Sequence, residues 1–204
     1  MQLEFVDDAL GKFSQALSKQ GLDGSTLIIV SAKHGQSPID VKDRVIQSDA
    51  PLQKVPGFGT HGFEICDDAG LVWLDPAVQK DRYEDAKAYL LANAATLHIS
   101  QLLDRTSLTP LYGDPFENSR VPDFIAVTDH GVICTSGTKL AEHGGFSDDD
   151  RNVALLLSAP NLKPEIVETL VNTTQIAPTI LTALGLDPNR LKGARQEGTR
   201  VLGK

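Results

Sequence analysis

The chain has 204 residues, 41% of them apolar and 23% charged, the composition of an ordinary globular protein with enough apolar surface for a core. Its 27 acidic against 19 basic side chains leave a formal charge of -8 with no basic cluster to offset it, which excludes bulk binding to a nucleic-acid backbone. Apolar runs such as Leu27-Ile28-Ile29-Val30 and Val153-Ala154-Leu155-Leu156-Leu157 fall far short of the roughly 20 residues that span a bilayer, so no membrane segment is expected.

The start, Met1 to Asp8, is acidic and amphipathic and lacks the basic and then apolar stretches of a secretory signal, so these residues carry no export signal and localisation stays open. Leu3, Val6, Leu10, Phe13 and Leu17 recur at spacings of three and four, which predicts a helix over about 3–19 that stops at Gly21. Thr26 to Ser31 is apolar and β-branched, predicting a strand buried on both faces that runs into Ala32-Lys33-His34-Gly35, the first αβ unit of a parallel sheet. From there to Gly62 the chain is rich in Pro, Gly and Asp and reads as an irregular excursion. Within it, Gly57-Phe58-Gly59-Thr60-His61-Gly62 has the spacing of a dinucleotide-binding loop but leads into an extended Phe63-Glu64-Ile65-Cys66 instead of a helix, and is rejected on that context.

Phe63 to Cys66 and Leu71 to Leu74 flank Asp67-Asp68-Ala69-Gly70 and predict a hairpin, while Pro76 to Ala95 predicts a helix. Asp123 to Val127 and Val132 to Thr135 predict a second hairpin, and Val153 to Leu157 a second strand buried on both faces. Asp148-Asp149-Asp150 reads as a solvated turn. Asn172-Thr173-Thr174, a glycosylation sequon in form, reads as the start of a helix that carries Ile176, Ile180 and Leu184 to a stop at Gly185, with Pro178 tolerated near the first turn. Cys66 and Cys134 are too few for a disulfide framework or a thiolate metal site and are expected as buried thiols, one disulfide being the alternative.

Two segments place a histidine before glycine at the end of, or just before, a buried strand: Ser31-Ala32-Lys33-His34-Gly35 and Glu142-His143-Gly144-Gly145. Ligand sites of α/β sheets gather beyond strand ends, and imidazole is a common ligand for zinc-like ions. Glu142 is placed to orient the His143 ring from behind.

Thr26-Leu27-Ile28-Ile29-Val30-Ser31-Ala32-Lys33-His34-Gly35 resembles the strand and Asp-His-Gly loop of the type I phosphodiesterase/nucleotide pyrophosphatases, within the alkaline phosphatase superfamily. Glu142-His143-Gly144-Gly145 resembles their late His-Gly metal motif, and the opening helix and Thr173 to Leu186 resemble the flanking helices, so the resemblance spans nearly the whole chain. It implies an alkaline-phosphatase-like α/β fold, a mostly parallel sheet flanked by helices with a small irregular or antiparallel excursion, of which this chain is the C-terminal part. The expected organisation is one α/β domain over 1–204, with the excursion or subdomain inside 36–150.

By the same resemblance His34 and His143 are metal ligands, the cofactor is zinc or another divalent ion, and the activity is hydrolysis of phosphodiester or pyrophosphate bonds in a small phosphate ester. Two departures accompany it. Lys33 stands where the family has a carboxylate ligand, and a charged lysine cannot ligate a cation. Either one ion remains and the Lys33 ammonium meets a phosphate oxygen, or the site is altered beyond use, or Lys33 is a salt-bridged structural residue. The nucleophile, the first carboxylate ligand and the Asp-x-x-x-His pair have no counterpart in the 204 residues, so the chain by itself is expected to be inactive, or to be a non-catalytic binding module or fragment of that fold. The surface that the absent half of such a sheet would leave predicts self-association.

Overall fold

A computed structural model of the protein describes residues 2–134 and 138–203. Along the chain it forms α1 (Gln2–Lys19), β1 (Ile28–Ser31), β2 (Ser37–Pro38), β3 (Val45–Ile46), β4 (Phe63–Cys66), β5 (Ala69–Trp73), α2 (Gln79–Ala92) and β6 (Ile99–Leu103). There follow α3 (Arg105–Tyr112), β7 (Phe124–Thr128), β8 (Val132–Ile133), β9 (Ala141–Glu142), α4 (Asp148–Arg151), β10 (Leu155–Ser158), α5 (Ile176–Ala183) and α6 (Lys192–Glu197). The elements sort into two compact units, one from 34–153 and the other from the described residues of 1–33 and 154–204.

The first of these units is built on a four-stranded sheet in the order β4-β5-β7-β6. The period of two along a strand divides its side chains between two cores. Val72 and Phe124 go to one side, where they pack with Leu74 and the α2 residues Tyr83, Ala86 and Leu90. Ala69 and Ile125, one position out of phase, go to the other and meet Leu103, Val121 and Leu108 of α3. Tyr83 stacks on Phe124 with ring centroids 4.7 Å apart, and its hydroxyl oxygen accepts the Arg105 N–H at 2.6 Å, joining α2 to the start of α3. Asp104 caps α3 through a capping box with Ser107 and takes the Lys87 ammonium at 2.6 Å.

In the other unit β1 and β10 form an antiparallel ladder from Ile28↔Ser158 to Ser31↔Leu155. The expected burial of both strands on both faces is not met: β1 is half-buried and β10 alternates, with Leu156 60% exposed. Among the described residues each pairs with a single neighbour, in a two-stranded sheet. The opening helix forms as its spacing predicts, yet none of its residues is buried. The sequon region starts the α5 helix through a short turn over Thr173–Gln175, where the Asn172 N–H donates to Gln175 Oε1 at 2.8 Å, and Gly185 at φ +71° ends it.

Three further expectations are corrected. The sheet is not mostly parallel: β3 and β8 form the parallel pair among the described residues, and the other pairs are antiparallel. An apolar run encodes extension and burial but not direction, and tight turns such as the one joining β4 to β5 produce antiparallel neighbours. The expected second hairpin does not form, because β7 pairs with β5 and β6 whereas β8 pairs with β3; Thr135, its expected end, lies outside the described residues. Cys66 and Cys134 are not free thiols but a disulfide, with Cα atoms 5.4 Å apart. The Cys134 N–H donates to the Asp67 carbonyl at 2.7 Å, which holds the end of β8 beside the β4–β5 turn.

Candidate functional site

His34 opens the 34–153 unit, and the glycine behind it is dictated by packing. The Gly35 N–H donates to the Asp150 carbonyl at 2.7 Å, and a Cβ at position 35 would run into the Asp149 carbonyl. His34 Nδ1 lies 2.6 Å from the Gly35 carbonyl oxygen. A carbonyl only accepts, so Nδ1 carries the hydrogen and donates it, which leaves Nε2 as the ring nitrogen outside that bond.

His143 follows β9, and β9 pairs with β2 in the register Ser37↔Glu142. That short ladder ties the chain just after His34 to the chain just before His143. The two imidazoles consequently stack, centroids 3.9 Å apart and planes 24° from parallel. The two predicted ligands thus come together. Lys33 is exposed and forms no ion pair among the described residues, so a structural salt bridge has no support. Glu142 does not orient the ring: its Oε2 accepts from Lys139 Nζ at 2.6 Å and its Oε1 from the His143 backbone N–H at 3.2 Å.

Beside the stack sits a group that the sequence does not announce. The acidic triplet is not a solvated turn but helix α4, capped by Ser147, and Asp150 is only 4% exposed. Asp150 Oδ2 accepts from the Ser37 and Ser147 hydroxyls at 3.0 and 2.7 Å, while its Oδ1 and that of Asp68 are buried without a hydrogen-bond partner. Burial first, and then the neighbouring Asp150 charge, push Asp68 up to about 7. Near neutrality Asp68 is therefore partly protonated. Gly145 passes so close that a Cβ there would sit 2.8 Å from Asp150 Oδ2 and 3.0 Å from the Asp68 carboxyl. A cavity of about 250 Å³ opens on Ser37, Asp68, Glu142 and Asp150, and a second of about 530 Å³ opens beside His34.

Among the described residues no three His, Cys, Asp or Glu side chains converge to hold a metal. Zinc usually takes three or four protein ligands, so the two imidazoles do not by themselves fit an ion. What this chain offers is one oriented imidazole on His34, a second ring against it, and a buried carboxyl pair beside them.

The sequence matches the family described as type I phosphodiesterase / nucleotide pyrophosphatase over residues 1–150. No curated protein matches it. Among solved structures, human ectonucleotide pyrophosphatase / phosphodiesterase 5 superposes with a TM-score of 0.66 at 19% identity, over 89% of this chain and 46% of that one. The murine protein gives 0.63 at 19% identity over 90% and 47%, and so does an inactive variant of it in complex with AMP. At that identity the likeness is one of fold, alkaline-phosphatase-like and α/β, and the chain spans about half the length of these structures.

Proposed function

Because the chain belongs to the type I phosphodiesterase / nucleotide pyrophosphatase family, we propose that it takes part in metal-dependent hydrolysis of phosphodiester or pyrophosphate bonds. In this reading His34 and His143 each give one imidazole to a divalent ion, zinc in the first instance, whose remaining ligands come from outside these 204 residues. The observation that carries it is the stacking of the two rings at 3.9 Å. Lys33, exposed and without an ion pair among the described residues, can meet a phosphate oxygen, but an ammonium cannot generate the nucleophile. These residues alone therefore turn over no ester. A second reading, a binding module without catalysis, draws on Lys33 at the carboxylate position and on the lack of a three-donor cluster among the described residues.

Hydrolysis of bis(4-nitrophenyl) phosphate with zinc or manganese separates the two. The 204-residue chain is expected to give no turnover. Supplied with a segment carrying the remaining donors, it should turn over, and His34→Ala and His143→Ala should each remove at least the roughly 10–100-fold lost when an outer-shell partner is deleted. Turnover indifferent to both substitutions would sink the reading, and turnover by the 204 residues unaided would sink the outside-donor part of it.

A further inference from the structure

A buried carboxylate oxygen without a partner is costly, so each one has to be accounted for. Among the described residues the buried Asp75, Asp123 and Glu142 have both oxygens occupied. Asp75 accepts from the Ala77 and His61 N–H groups, Asp123 from the Leu74 N–H and the Gln79 amide, and Glu142 from the Lys139 ammonium and the His143 N–H. Asp150 is the exception. The Ser37 and Ser147 hydroxyls hold its Oδ2, but its Oδ1 has no hydrogen-bond partner, and neither has Asp68 Oδ1 next to it. Neither carboxyl enters an ion pair among the described residues. Both line the 250 Å³ cavity, whose wall includes Asp129 and Glu142 but no Lys or Arg. The two converge on one spot, since a Cβ on Gly145 would lie 2.8 Å from Asp150 Oδ2 and 3.0 Å from Asp68 Oδ1. Two carboxylates held together out of water repel each other, and a cation between them removes that repulsion.

We propose that the Asp68 and Asp150 carboxylates bind a hard divalent cation, calcium or magnesium, on the wall of this cavity, with water completing its coordination. An all-oxygen pair selects such ions over zinc, which prefers nitrogen and sulfur. The lack of three converging His, Cys, Asp or Glu side chains among the described residues counts against a zinc-like site but not against this one, because magnesium is commonly held by one or two carboxylates and several waters. A cavity of about 250 Å³ has room for those waters, each of which occupies roughly 30 Å³. The ion shares no ligand with His34 or His143, so the site stands apart from the hydrolase reading.

The test is a calorimetric titration of the 204-residue chain, first stripped of metals with a chelator, with calcium chloride and separately with magnesium chloride at constant ionic strength. The expected result is one site per chain for at least one of the two ions, half-saturated at roughly 0.1–1 mM as befits two charged ligands. Asp150→Asn and Asp68→Asn each remove one ligand charge and should raise that midpoint about 10-fold or more. Asp68, half-buried in a turn, carries the test should Asp150→Asn fail to fold. His34→Ala and His143→Ala should leave the midpoint where it is. No saturable binding of either ion, or binding indifferent to Asp68→Asn, would overturn the assignment and mark any residual heat as an adventitious ion on surface carboxylates. Loss of the site in both histidine variants would also overturn it, by returning the ion to the imidazole pair. Failure here alongside histidine-dependent hydrolysis would remove this site and leave the hydrolase reading standing.

Discussion

Asp68 and Asp150 show how a site can be assembled from residues that look ordinary one at a time. An Asp in the turn Asp67-Asp68-Ala69-Gly70 has a sufficient local reason to be there, and an acidic triplet after Ser147 is normally solvated. The Gly144-Gly145 loop passes against both carboxyls, which are buried together only in the folded chain. His34 and His143 were legible because each precedes a glycine at a strand end and the surrounding segments carry a family resemblance; the acidic pair had no such signal. Its consequence is a pH dependence of stability. Asp68 titrates near 3.8 when unfolded and near 7 when folded, so between those values the folded chain holds a proton that the unfolded chain has lost. This group therefore makes stability fall as pH rises through that window. Asp68→Asn removes the titration, and its melting temperature should decline less steeply from pH 4 to 7 than that of the unaltered chain, with the variant the more stable at pH 7. Parallel melting curves across that range would show that burial does not raise Asp68.

At the scale of elements, the disulfide does work that no strand in its neighbourhood can. β3 and β8 are two residues each, and β8 is held to the β4–β5 turn by the Cys66–Cys134 bond and one backbone hydrogen bond. The bond closes a separation of 68 residues, for which loop entropy gives a stabilisation of about 4 kcal/mol. Reduction, or Cys66→Ser with Cys134→Ser, should lower the urea midpoint accordingly and leave the far-ultraviolet spectrum of α2 and the four-stranded sheet in place. An unchanged midpoint under reductant would mean that the bond adds nothing to the fold. The elements read correctly from sequence were those with a complete local signal: the α1 stripe, the Tyr83-Ala86-Leu90 face of α2 and the β4–β5 hairpin. β6 escaped notice because Ser100 and Gln101 interrupt its apolar pattern at an irregularity against β7. α3 carries Pro110 inside it, which reads as a helix breaker until the Asp104 capping box is seen.

For the whole molecule, composition and periodicity gave the α/β class and the family resemblance gave the fold, but strand direction depends on the path of the connections and was not readable from apolar runs. The same limit applies to what the apolar runs face. Leu3 and Phe13 of α1 are 86% and 68% exposed, and beyond β10 Ile166 and Leu170 are 88% and 92% exposed. β1 and β10 pair only with each other, so each presents a second edge without a partner among the described residues. Apolar side chains that repeat along one helical stripe and unpaired strand edges both favour association with another polypeptide. We propose that the 204-residue chain self-associates through the α1 stripe when nothing else covers it. Light scattering coupled to size exclusion should give a mass above 21.9 kDa at micromolar concentration, and Phe13→Glu, which places a charge in the middle of the stripe at an exposed position, should shift the distribution toward the single chain. A single-chain mass for the unaltered protein from about 1 to 100 µM, a span of roughly 2.7 kcal/mol in association free energy, would exclude it.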